Sequence, residues 1–95
     1  MSDDLYTELR REVQHAEWRW VRPHHEAGRL VFVRGLDVVA VGVALATDDS
    51  ASVGAWLADG RLRRGEDVDV SAWTDDDRLV FLIVQPFVVA LLPDA

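Results

Sequence analysis

The sequence predicts a small α+β fold on three observations. An N-terminal segment carries apolar residues at helical spacing, and two helix-like stretches follow one another near the middle. The most apolar runs, RLVFVR at 29–34 and LVFLIVQPFVVALL at 79–92, have the residue types and lengths of buried strands. At 95 residues with 49 % hydrophobic content, the chain is expected to form one domain spanning 1–95. The simplest architecture is an N-terminal helix, a central helix pair and a small sheet of about three strands, built from 29–34 and 79–92 and backed by helices on one side.

The first helix rests on Leu5, Leu9, Val13, Ala16 and Trp20, spaced by four, four, three and four residues. At about 100° per residue they fall in a stripe about 80° wide. Ser2, Asp3 and Asp4 offer capping oxygens and negative charge at the positive end of the helix dipole. Arg22 precedes Pro23 and is pushed out of the helical region, so the helix is expected to end near 20–22. Pro23 would open a short second turn, closed by Gly28.

In 29–34, Leu30 and Phe32 alternate with Val31 and Val33, so both faces are apolar and the strand should be central. Residues 36–47 fit a helix by length and by the spacing of Leu36, Val39, Ala40, Val43 and Ala44, with Asp37 as cap and Gly42 allowing close packing. Asp48, Asp49 and Ser50 interrupt it and cap a second helix over about 49–58, with Val53, Trp56 and Leu57 inward and Gly60 as stop. Residues 61–78 read as a polar connection. Pro86 divides the last apolar run and marks a bulge, kink or edge. The two main strands lie far apart in sequence, which permits parallel pairing.

Charge narrows the function classes. Residues 1–35 balance six Arg against six acids, and 36–95 hold the whole net charge of −7. An acidic field repels phosphate, and residues 48–59 contain no Arg or Lys, so a DNA-reading helix-turn-helix and nucleic-acid partners generally are set aside. No run reaches the ~18 apolar residues of a membrane span, and the acidic start lacks a leader's apolar core; a cytoplasmic location without membrane contact is expected. With no Cys, thiol chemistry is excluded.

Candidate chemistry is sparse. His24, His25 and Glu26 are the nearest approach to a metal set, but adjacent His side chains diverge on a helix or strand. The acids at 67–69 and 75–77 lack a calcium-loop pattern, and no Ser lies in a nucleophile elbow. No catalytic residue and no cofactor are assigned. Trp20 and Trp56 fall on apolar stripes and are expected in the core. Trp18 lies about 160° from Trp20, on a face shared with Arg11, His15 and Arg22, which has the composition of an interface anchor. The alternative is a helix already unwound at Glu17, with Trp18 folded back onto the sheet.

EWRWVRPH at 17–24, LDVVAVGVALATDD at 36–49, VGAWL at 53–57, Trp73 and LIVQPFVV at 82–89, in that order, resemble a bacterial family catalogued as domain of unknown function 2288. The resemblance covers nearly the whole chain and implies a single domain, but it brings no activity with it. GEDVDVSAW at 65–73 is more acidic than the family pattern.

The expectation is a non-catalytic binding or regulatory module acting through a protein surface. Its partner is a protein, and the sequence also predicts a homodimer, with Phe87, Val88, Val89 and Leu91 of an apolar edge strand at the contact and Trp18 at its rim. One alternative is a metal-dependent hydrolase using His24, His25, Glu26 and the acidic loops. Another is an acidic mimic of nucleic acid that binds a basic partner.

Overall fold

The computed structural model describes residues 2–92, with side chains from residue 5 onward, so the expected capping by Ser2, Asp3 and Asp4 lies outside the described side chains. Helix α1 spans Ser2–Arg11, and its Leu5 and Leu9 face the core as their spacing requires. The expected continuation to residue 20 does not occur. Instead Gln14–Glu17 form a strand, β1, paired antiparallel with β4 (Arg78–Val84). A new helix, α2, then runs Trp18–Glu26. Sheet pairing outweighs the weak helical preference of a four-residue stretch whose only apolar member is Ala16.

Helix α2 contains Pro23 rather than ending before it. One missing amide is tolerated because this short helix is held from outside. At its start, Trp18 N–H donates to the Asp77 carbonyl at 2.6 Å and Arg19 N–H to that of Asp75 at 3.3 Å. Gly28, at φ +75°, follows its C-terminal turn as expected.

The sheet has five strands rather than about three. Its order is β1, β4, β5 (Phe87–Leu91), β2 (Leu30–Val33) and β3 (Leu62–Arg64). Strands β2 and β5 pair in parallel, with Val31 opposite Val89, and the remaining pairs are antiparallel. The 79–92 run therefore supplies two interior strands. The Gln85–Pro86 peptide is cis and sits in the reversal between them. Strand β5 is central, not the apolar edge expected from sequence; the edges are the short β1 and β3.

Helices α3 (Val38–Ala46) and α4 (Ser50–Asp59) match the predicted central pair. Asp37 caps α3 through the Val39 amide at 2.9 Å, and its other oxygen accepts the Tyr6 hydroxyl, tying α1 to the start of α3. Asp49 caps α4 through the Ser52 amide, and Gly60 ends it at φ +82°.

Both faces of the sheet are covered, where cover on one side was expected. On one face Val33, Leu62, Leu82, Val84 and Val89 pack against Leu9 of α1 and Val38, Val39 and Val41 of α3. On the other, Leu30, Phe32, Leu79, Phe81, Val88 and Ala90 pack under Trp18 and Val21 of α2, joined by Val68, Val70 and Trp73 from the segment after β3. Full burial of each large apolar side chain contributes about 1.5–3 kcal/mol. This three-layer arrangement leaves α4 as the least embedded helix, with no fully buried residue.

Candidate functional site

Because α4 rests chiefly on α3 and β3, a groove opens between it and the sheet. The larger part is a cavity of about 360 Å³. Val31, Leu62 and Phe87 line it from the sheet, and Leu45, Val53 and Leu57 from α3 and α4. Gly28, Arg64, Gly65 and Glu66 lie along its sheet-edge end. A second cavity of about 190 Å³ adjoins it, sharing Leu45, Val53 and Phe87 and bounded by Asp48, Asp49 and Ser50. The larger cavity falls within the roughly 300–1,000 Å³ of small-ligand sites.

The sequence builds each wall locally. Asp48 takes the left-handed conformation at φ 56°, which Asp tolerates, and so reverses the chain between α3 and α4 within a few residues. Asp49 accepts from the Ser52 hydroxyl at 2.8 Å and from the Ser52 amide at 3.1 Å; these bonds hold its carboxyl below the ordinary aspartate value, so it is a fixed negative charge at one end. At the other end Arg64 stands opposite Val31 in the β2–β3 register, on the sheet face that carries α3 and α4. No ion-pair partner of Arg64 is found among the described residues. The groove thus carries Arg64 and Glu66 in its larger part and two aspartates, Asp48 and Asp49, in its smaller one, with apolar side chains shared between them.

The sequence-predicted residues are distributed otherwise. Trp18 is only 3 % exposed, enclosed edge-on by Trp73 at 4.9 Å and His25 at 5.7 Å; the first helix ends at Arg11, well before the break considered at Glu17, and the indole folds back onto the sheet. Trp20, expected in the core, is 67 % exposed. Starting a new helix at Trp18 changes the phase of the turn and exchanges the two indoles. Arg11 ends α1, His15 lies on edge strand β1, and Arg22 binds Asp75 at 2.8 Å, so the face predicted around Trp18 is not assembled. Val88 and Val89 are buried within a central strand; Phe87 and Leu91 remain half-buried, and Phe87 lies in the groove. Trp56 is half-buried against the core.

His24, His25 and Glu26 do not converge. His25 Nε2 lies 3.0 Å from the Gly65 carbonyl, and His24 Nδ1 is buried without a hydrogen-bond partner among the described residues. No cluster of three or more His, Asp or Glu placed to hold a metal occurs among them. The acidic loop serves structure: Asp76 pairs with Arg19, Asp75 with Arg22, and Asp77 accepts from the Thr74 amide at 2.9 Å. The groove leaves little mark in the sequence, because its β3 wall, LRR at 62–64, is too short and charged to signal a strand within the polar connection expected there.

A mixed sheet between two helical layers, grooved beside its least embedded helix, is the class of domain these elements define. The chain belongs to the family described as protein of unknown function (DUF2288), whose model matches residues 4–91. It is also similar to the solution NMR structure of PA1075 from Pseudomonas aeruginosa, at 34 % identity and a TM-score of 0.77, covering 97 % of this chain and 87 % of that one. None of the curated proteins matches the chain. No helix among the described residues is long and apolar enough to cross a membrane.

Proposed function

We propose that the protein is a non-catalytic binding module that docks a short segment of a partner protein in the groove beside α4. The carrying observation is the pair of adjoining cavities that share Leu45, Val53 and Phe87. An apolar trough with charged ends suits a segment whose apolar side chains are buried and whose charged groups stay at the rim. Leu57, 38 % exposed on its wall, is apolar surface that a ligand would cover.

The test is amide shift mapping of the isotope-labelled protein against pools of short peptides. Perturbations centred on Leu45, Val53, Leu57 and Phe87, abolished by Leu57→Asp in a still-folded protein, support the reading. Binding that leaves these residues unmoved overturns it. Stoichiometric zinc or manganese at His24, His25 and Glu26 would replace it with the metal-hydrolase alternative. A basic partner held only at low salt, and lost when Asp75, Asp76 and Asp77 are neutralised, would favour nucleic-acid mimicry. Self-association through Phe87 predicts a dimer mass in light scattering that Phe87→Asp converts to monomer.

A further inference from the structure

We infer that the groove recognises the C-terminal end of a partner polypeptide, an inference that rests on the docking role proposed above. Its charge arrangement specifies the ligand. Arg64 lies at one end without an ion-pair partner among the described residues, projecting from β3 to the face that carries the cavity. A guanidinium binds a carboxylate through two parallel N–H donors, a geometry an amide cannot match. Immediately beside it lies the larger apolar cavity of Val31, Leu45, Val53, Leu57, Leu62 and Phe87. In a polypeptide without its own charged side chain there, only the last residue sets a carboxylate and an apolar side chain on the same α-carbon.

Access by a chain end is open. Gly28, which lines that rim, carries no side chain, and no atom stands within 4 Å of where a Cβ would be. The groove then continues into the smaller cavity and ends at Asp48 and Asp49, the latter held ionised by Ser52. Two adjoining cavities, with Arg64 on the larger and Asp48 and Asp49 on the smaller, fit a terminal segment: carboxylate on Arg64, apolar last residue in the large cavity, and a Lys or Arg a few residues earlier beside Asp48 and Asp49. Glu66 also lines the large cavity. It opposes a carboxylate there, so Glu66→Gln should tighten binding of this ligand.

The probe is a fluorescein-labelled tetrapeptide, Arg-Gly-Leu-Phe, prepared as the free acid and as the C-terminal amide and titrated by fluorescence polarisation, with amide shift mapping beside it. The free acid should bind about tenfold tighter than the amide, and Arg64→Gln should bring that ratio to about one. Arg64→Lys should restore only part of it. Because residue 64 is exposed, these variants should keep the parental melting profile. Equal affinity for acid and amide, with shifts still centred on Leu45, Val53 and Leu57, overturns chain-end recognition and leaves the docking role standing. No shift at those residues with either peptide overturns both. N-acetyl-phenylalanine binding as tightly as the tetrapeptide shows that a free apolar acid suffices and overturns the polypeptide assignment.

Discussion

The two faces of the sheet are closed by different means. On one face the cover is regular: α3 lies against β4 and β5, so close at Gly42 that an added Cβ would stand 2.7 Å from a Leu82 methyl. Its side chains are almost wholly aliphatic. On the other face the cover is one nine-residue helix and an irregular segment, and aromatic bulk does the closing. Trp73 stands edge-on to both Trp18 and Phe32, at 4.9 and 5.3 Å. Polar ties then hold the irregular cover in place: Arg19 to Asp76, Arg22 to Asp75, and His25 to the Gly65 carbonyl. Regular elements can pack with small residues because their backbones approach uniformly. An irregular segment cannot, and a few large side chains span the gap. The regular face is grooved where α4 departs from the sheet.

If that contrast holds, the largest effect belongs to Trp18. Trp18→Ala removes the centre of the aromatic cluster and should cost about 3–5 kcal/mol, read as a lowered urea midpoint. Trp20→Ala, two positions away but exposed, should change stability by no more than about 0.5 kcal/mol. Comparable losses at both positions would break the assignment of the two indoles.

The glycines sharpen the comparison. At Gly65 a Cβ would stand 2.8 Å from the Leu30 carbonyl oxygen, a backbone atom of a central strand that cannot yield, and 3.2 Å from His25. Gly65→Ala should destabilise by about 1–3 kcal/mol. At Gly42 the nearest atom is the end of the Leu82 side chain, which can rotate, although Val84 stands at 3.2 Å. There Ala also gains about 1 kcal/mol of helix propensity. Gly42→Ala should therefore cost less than Gly65→Ala in paired denaturation curves. The reverse order would show that the aliphatic face is the less yielding one.

These faces differed in how far they could be read from sequence. The aliphatic face was legible because its determinants are local: Asp37 and Asp49 cap, Gly60 stops, and apolar residues recur at helical spacing between them. Strand β2 was legible because Leu30 and Phe32 alternate with Val31 and Val33, and each pair meets its own core. The aromatic face was not. Nothing local separates Leu5–Leu9–Val13 from the following Ala16 and Trp20, yet the helix stops because Gln14–Glu17 find partners some 64 residues later in β4. Likewise Leu62 looks like a lone apolar residue in a charged stretch until β2 supplies its neighbour. Of the groove, Phe87, Val53 and Leu57 were singled out as apolar, but their meeting depends on that unrecognised strand. Arg64 carried no signal.

A smaller effect concerns the polar ties of the aromatic face. Arg22 and Asp75 lie 2.8 Å apart but are 46 % and 54 % exposed, so water and salt screen them. A double-mutant cycle with Arg22→Ala and Asp75→Ala should give a coupling of about 0.2–1 kcal/mol that shrinks as salt is added. A coupling unaffected by salt would mean that the irregular cover is held by more than packing and exposed charge.

The smallest effect compares one exposed aspartate from each region. Asp49 is lowered from the ordinary aspartate value by the Ser52 side chain and then the Ser52 amide, and Asp69 by the Ser71 side chain and then the Ser71 amide. A carboxyl that is easier to ionise in the folded state adds stability that is complete above its unfolded value of about 3.9. That contribution is lost as the pH falls through the lowered folded value. Both sites therefore steepen the acid limb of the stability curve, and Asp49→Asn and Asp69→Asn should each flatten it slightly. The consequences diverge beyond that shared sign. Asp49 caps α4, so its protonation should loosen the first helical turn and the Val53 wall of the groove, whereas Asp69 closes only a turn within the loop. Hydrogen exchange at the Ser52 and Val53 amides, compared just above and below this pH window, should lose protection in the parent and show no such acid step in Asp49→Asn. An acid step that persists in Asp49→Asn, or that vanishes in Asp69→Asn instead, would mean that the α4 wall is set by something other than its cap.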